Sequence, residues 1–284
     1  MDGSMQVTRT MQRLANRRNQ FCFSLGAVLF TLLVAGCEEA AITEIRRLGG
    51  DVSVDKLRTG EVTSVDLCQT QVTDAELAHV KGFARLHSLN LMDTKITDAG
   101  LENLERLKKL TCLNLAACTD VTDMGVAHLR GLTELEFLEL LDTKTTDAGL
   151  EYLHELTKLK YLDLMGTEVT GAGLAYLKAL TQLECLYLGR CKVTDTGLEH
   201  LKGLTSLQFL GLSSTKVTDM GLVHLKGLIN LKTLDLGYTE VTDAGLKHLI
   251  GLAKLQTLNV QNTNVTDAGV KNLRQALPHC EIIR

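Results

Sequence analysis

The 284-residue chain predicts an α/β solenoid, with a parallel sheet along one face and short helices along the other. A triplet of the Val-Thr-Asp kind recurs at Val72, Ile96, Val121, Thr145, Val169, Val193, Val217, Val241 and Val265, at intervals of 24 residues with one of 25. Self-similarity at a fixed period of this size marks stacked units. Apolar residues make up 45% of the chain but aromatic ones only 4%, with one proline and no tryptophan. A core of that composition is filled by leucine, valine and isoleucine at repeated positions. Within each copy the apolar spacing also switches from two residues to three, a strand followed by a short helix.

The elements follow in chain order. Arg9, Arg13, Arg17 and Arg18 face a single acid in residues 1–20, and FCFSLGAVLFTLLVAG runs from Phe21 to Gly36. A charged segment before an apolar one is the layout of an export signal. The sixteen apolar or small residues fall short of the roughly 20 a spanning helix needs, so a cleaved signal is expected in place of an anchor. The stretch closes in LVAGC, which resembles a bacterial lipobox. That resemblance implies cleavage before Cys37 and a lipid on its thiol. With Glu38 next in place of aspartate, it further implies the outer membrane of a bacterial envelope. Residues 1–37 thus form a signal segment, and the membrane is one expected partner. They hold four of the 30 basic residues and one of the 34 acidic ones, so the net charge moves from −4 to −7 without them. A nucleic-acid partner is not expected of such a surface.

Residues 38–61 are expected to cap the stack: Ile42, Ile45 and Leu48 share one helical face, and Val52 and Val54 alternate as in a strand. Nine repeats fill 62–284. In each, LxxLxLxx(T/C), as at Leu207, Leu210, Leu212 and Thr215, places a short strand whose leucines point inward while Phe209, Gly211 and Ser213 face out. Leu222, Leu225 and Leu228 then line a short α or 3₁₀ helix, with Thr218 or Asp219 to cap its first amides. One such unit cannot bury its own apolar side, so the units must stack. Pro278 ends the last helix and Cys280 to Ile283 supply a closing strand.

The repeat resembles the leucine-rich repeat family, whose signature it matches over about residues 62–284 with threonine or cysteine at the usual asparagine or cysteine position. The VTDxGL helix opening is similar to the cysteine-containing subclass, and the whole resembles bacterial lipoproteins built on these repeats. The resemblance implies a right-handed horseshoe with strands on the concave side and protein recognition there. An intracellular adaptor similar to ubiquitin-ligase substrate receptors is the alternative. It would need a helical docking domain for which residues 1–61 are too short.

Chemistry is sparse. Cys118 and Cys191 fall in the inward threonine column, a structural place, and no CxxC pair suggests zinc or redox work. His79, His128, His200, His224 and His248 share a helix position with Tyr152, Tyr176, Asn103 and Asn272. Such mixed occupancy suits packing better than metal binding. No nucleophile with a base, paired catalytic carboxylates or phosphate loop stands outside the repeat frame, so neither enzyme activity nor a cofactor is expected. The outward strand columns differ most between copies. Phe137, Tyr161 and Phe209 gather in the middle of the first column, and the second, mostly acid or amide, contains Glu139, Asp163 and Tyr187. With Leu141, Met165 and Tyr238 nearby they predict an apolar centre with an acidic border, suited to a protein or peptide bearing basic or amine groups.

Overall fold

The computed structural model describes residues 35–54 and 61–284, with the backbone alone described over 35–38. The expected signal segment up to residue 34 and the Cys37 side chain lie outside the described residues. The frame is one eleven-stranded sheet in which spatial order follows chain order. Its strands are β1 Asp51–Val54, β2 Val62–Asp66, β3 Ser88–Asn90, β4 Cys112–Asn114, β5 Phe137–Glu139, β6 Tyr161–Asp163, β7 Cys185–Tyr187, β8 Phe209–Gly211, β9 Thr233–Asp235, β10 Thr257–Asn259 and β11 Glu281–Ile283. β1 runs antiparallel to β2, and the later pairs are parallel. The result is a right-handed solenoid with strands on the concave face and short helices on the convex one.

Register makes the core continuous. Leu89, Leu113, Leu138, Leu162, Leu186, Leu210, Leu234 and Leu258 stand side by side along the sheet and are fully buried. Each contributes about 1.5 to 3 kcal/mol by leaving water, a term available only because the neighbouring unit covers it. Below the strands, Thr94, Thr143, Thr167, Thr215 and Thr239 are buried and donate their hydroxyls to the carbonyl three residues back, at 2.6–2.7 Å. The two cysteines of this column act differently: the thiols of Cys118 and Cys191 donate to Leu91 O and Leu164 O of the preceding unit, each at 3.0 Å. Burial pushes both thiols up, away from thiolate.

On the convex side the Thr-Asp pair divides its work. Thr97, Thr122, Thr146, Thr218 and Thr242 cap their own helices through the side-chain oxygen. The aspartate that follows reaches forward instead. Asp219, for example, accepts from the Thr242 amide at 2.8 Å and from its hydroxyl at 2.6 Å. The same two-bond clasp joins Asp74 to Thr97, Asp98 to Thr122, Asp123 to Thr146, Asp147 to Thr170, Asp195 to Thr218 and Asp243 to Thr266. The glycine of each following helix leaves room for the carboxylate: a Cβ on Gly221 would lie 2.5 Å from Asp195 Oδ1. Gly171 occupies the aspartate position in its own repeat, so the clasp to Thr194 is missing there, and that unit carries a 3₁₀ helix, Gly173–Ala179.

The N-terminal cover is α1, Ala35–Arg47, followed by the β1–β2 hairpin pairing. Its helix begins two residues before Cys37 and buries Ala41 and Ile45, with Ile42 and Leu48 packed at the margin. Among the described residues no helix is long and apolar enough to cross a membrane. At the other end the helix Asp267–Ala276 is the longest of the repeat domain, and Ile282 and Cys280 close the stack.

Candidate binding face

Four rings form a row across β5 to β8. Phe137 stacks on Tyr161 with centroids 4.2 Å apart and planes 13° from parallel. Tyr161 meets Tyr187 at 5.3 Å and 45°, and Tyr187 stacks on Phe209 at 4.3 Å and 30°. The row runs diagonally, because Tyr187 sits in the second outward column and Phe209 in the first. Gly211 makes the diagonal possible: a Cβ there would stand 3.2 Å from Phe209 Cε1 and 3.6 Å from Tyr187 Cδ1. Phe209 is 4% exposed, covered by its neighbours while remaining outside the leucine core.

Two carboxyls lie beside the rings. Glu139 and Asp163 are register neighbours on β5 and β6. Burial first, then the charge of Asp163, pushes Glu139 up to about 7, against the pull of a hydrogen bond from Tyr161. Asp163 is pushed up to about 6 by burial and by Asp142, opposed by the Met165 amide and by Arg190. The Tyr161 and Tyr187 hydroxyls are also held far above their ordinary range by burial. At the lip of the face, Arg190 pairs with Asp142 two repeats away, at 2.9 Å. The pair passes over Gly166, where a Cβ would stand 2.9 Å from the guanidinium.

The second outward column explains what the site departs from. Asp66, Asn90, Asn114, Asp163, Asp235 and Asn259 each accept the backbone N–H two residues on, at 2.8–3.2 Å. The bond lies in a turn whose next residue is left-handed, at Gln69, Asp93, Ala117, Gly166, Tyr238 and Asn262, and Asp142, Arg190 and Ser214 keep the same conformation without it. Short polar side chains favour such turns because they hydrogen-bond the local backbone. Six members of the acidic and amide column thus also hold turns. Three repeats give the bond up, and they are the ones carrying Glu139, Tyr187 and Gly211.

A family model described as a leucine-rich repeat region matches residues 85–281. The chain belongs to the leucine-rich repeat family. No curated protein matches it. Among solved structures, this leucine-rich repeat chain is similar to internalin C2 from Listeria monocytogenes, at 22% identity and a TM-score of 0.50, over 91% of this chain and 100% of that one. It is also similar to a leucine-rich repeat protein from Leptospira interrogans, at 22% identity and a TM-score of 0.57, over 72% of this chain and 56% of that one. These likenesses concern the fold. The family commonly serves in protein interaction, and none of the matches indicates an enzyme family.

Of the expected site residues, the repeat frame brings Phe137, Glu139, Tyr161, Asp163, Tyr187 and Phe209 together, with Leu141 and Met165 half-buried beside them. Asp163 has one oxygen committed to its own turn at 2.8 Å. Tyr238 stands apart: it follows β9, is 60% exposed and takes no part in the ring row. Sequence reasoning missed Gly211, Asp142 and Arg190. Gly211 was legible as a break in an otherwise polar column, but the 48-residue reach of Arg190 was not. A shallow cavity of about 510 Å³ opens on the neighbouring row along Lys160, Glu184, Gln208 and Lys232. Its side chains satisfy one another, Glu184 with Gln208 at 3.1 Å and Gln208 with Lys232 at 2.8 Å, so the ring row is the better candidate. On the convex side the histidine column serves mixed packing: Asn103 donates to Gly100 O at 2.8 Å, and His128 meets Glu105 at 2.7 Å.

Proposed function

We propose that this chain is a non-catalytic protein-binding module that recognises a protein or peptide on the concave strand face, held to a bacterial envelope membrane by lipid on Cys37, with the outer membrane as its place. The recognition reading rests on one observation. The repeats that abandon the turn-forming aspartate or asparagine at Glu139, Tyr187 and Gly211 border or carry the stacked rings. A scaffold bond is given up where another use of the position outweighs it. Rigid aromatic anchors with few rotatable bonds are the residues that carry interface energy at low ordering cost. The membrane reading is supported by the charged and apolar leader and by LVAGC at its end.

Two experiments test the two halves separately. Mass spectrometry of protein taken from membranes is expected to show a fragment beginning at Cys37 with a diacyl or triacyl mass. An unprocessed leader would remove the tether. The double variant Phe137→Ala, Phe209→Ala is expected to abolish capture of the partner, and retained capture would remove the face.

A further inference from the structure

We propose that the edge of the solenoid where the chain enters β8 to β10 is a docking surface for an anionic phospholipid bilayer, which seats the C-terminal repeats against the membrane. This deepens the membrane half of the reading above and rests on it, and it is independent of the rings on the strand face. Three observations meet at this edge. In the middle repeats its lysines are neutralised by the unit before, Lys158 by Glu134 and Lys160 by Glu136, each at 2.7 Å. Further on, the same two columns hold Lys254 and Lys232, whose partners are the amide oxygens of Asn230 at 2.7 Å and Gln208 at 2.8 Å. An amide satisfies the protons of an ammonium and leaves its charge standing. Among the described residues neither lysine forms an ion pair, nor does Lys226 on the adjoining turn.

The second observation is shape. The shallow cavity of about 510 Å³ lies between these side chains, and Glu184, to which Gln208 donates at 3.1 Å, is the one carboxylate in its lining. Ammonium, amide and hydroxyl groups make up the rest, donors suited to the phosphate oxygens of a headgroup. The third is an apolar pair that breaks the repeat. Ile229 is 58% exposed in a column filled by Thr133, Thr157, Thr181 and Thr205 in the four units before it. Ile250 is 48% exposed where the other repeats carry a charged residue or histidine. Lys108 and Gly131, at the positions that Ile229 and Gly251 occupy, meet at 3.1 Å, so Ile229 sits at the Ile250–Gly251 turn. Asn230, next in the chain, lines the cavity. Isoleucines bordered by unneutralised lysines fit the boundary between anionic headgroups and acyl chains, where the first bury apolar surface and the second meet negative charge.

The chain has no tryptophan, so Ile229→Trp gives a single reporter at the centre of the surface. Met124→Trp, at a residue 66% exposed on an early helix, gives the control. The full chain is reconstituted into phosphatidylcholine vesicles with brominated acyl chains, with and without an equal share of phosphatidylglycerol. Expected are flotation with the vesicles, loss of about half the Ile229→Trp emission when phosphatidylglycerol is present, and little loss in Met124→Trp. Adding Lys232→Gln and Lys254→Gln should cut that quenching by roughly half or more. Flotation without quenching of Ile229→Trp overturns the docking edge and leaves the tether standing. Quenching that is equal with and without phosphatidylglycerol, equal in both reporters, or unmoved by the lysine changes also overturns it. An emission shift that follows protein concentration in place of lipid, with a dimer in sedimentation, overturns it in favour of a second copy. Failure to float overturns edge and tether together.

Discussion

At the residue scale, the buried carboxyls make stability depend on pH in an unusual sense. An acid whose folded pKa is raised contributes stability that is fully present below its unfolded pKa and is lost as pH rises through the folded one. For Glu139 that window runs from 4.5 to about 7, and for Asp163 from 3.8 to about 6. Glu139→Gln removes the cost of ionising the side chain, so it should gain about 1 to 2 kcal/mol relative to the parent at pH 8, after allowance for solvent screening. Near pH 4 it should gain almost nothing. Urea titrations at the two pH values check this, and a gain of equal size at both would mean the carboxyl is not held protonated. The rings separate from the core in the same way. Leu210 is fully buried among leucines and Phe209 lies on the face above it. Leu210→Ala should cost about 3 kcal/mol or more, as cavity-forming core changes do, and Phe209→Ala clearly less. A larger loss for Phe209 would make that ring part of the core.

At the element scale, the convex clasp is the recurring side-chain bond between units, added to the backbone ladder of the sheet. Removing Asp219 deletes two charge-assisted bonds to Thr242 and leaves a part-buried amide and a hydroxyl proton without an acceptor, while the Thr242 oxygen still accepts from the Ala244 amide. Asp219→Ala should therefore lower stability by about 2 to 3 kcal/mol. The junction at Gly171 lacks this bond by nature. Restoring the consensus there is not expected to help. A Cβ on Gly171 would lie 2.8 Å from the Gly197 Cα, a backbone atom that moves only with its whole unit. Hydrogen exchange should open first at the junction around Thr194, ahead of the clasped ones. Uniform protection across all junctions would show that the clasp contributes little. This junction underlies the step from Tyr161 to Tyr187, where the rings are tilted and furthest apart.

Across the whole molecule, stability is a sum of units and nearest-neighbour interfaces, so the ends matter more than in a globular domain. Leu258 and Val260 are fully buried because β11 covers them. Ending the chain before Glu281 uncovers the β10 edge, and light scattering should then report self-association through the freed edge. A monodisperse truncated protein would show that the helix Asp267–Ala276 suffices as a cover.

The period, strand register, inward leucines and threonine and cysteine column were all determined by the sequence itself. Each unit repeats the same local physics, so position in the period fixes direction. Tertiary structure decided what depends on neighbours in space. The aspartate of each helix serves the next unit and not its own, the polar strand column holds turns, and Gly211 lets Phe209 lean across onto Tyr187. Residues 24 or 48 positions apart are distant in the chain and adjacent in the stack. Their pairing is set by how side chains lean across a formed sheet, which the repeat pattern alone does not specify.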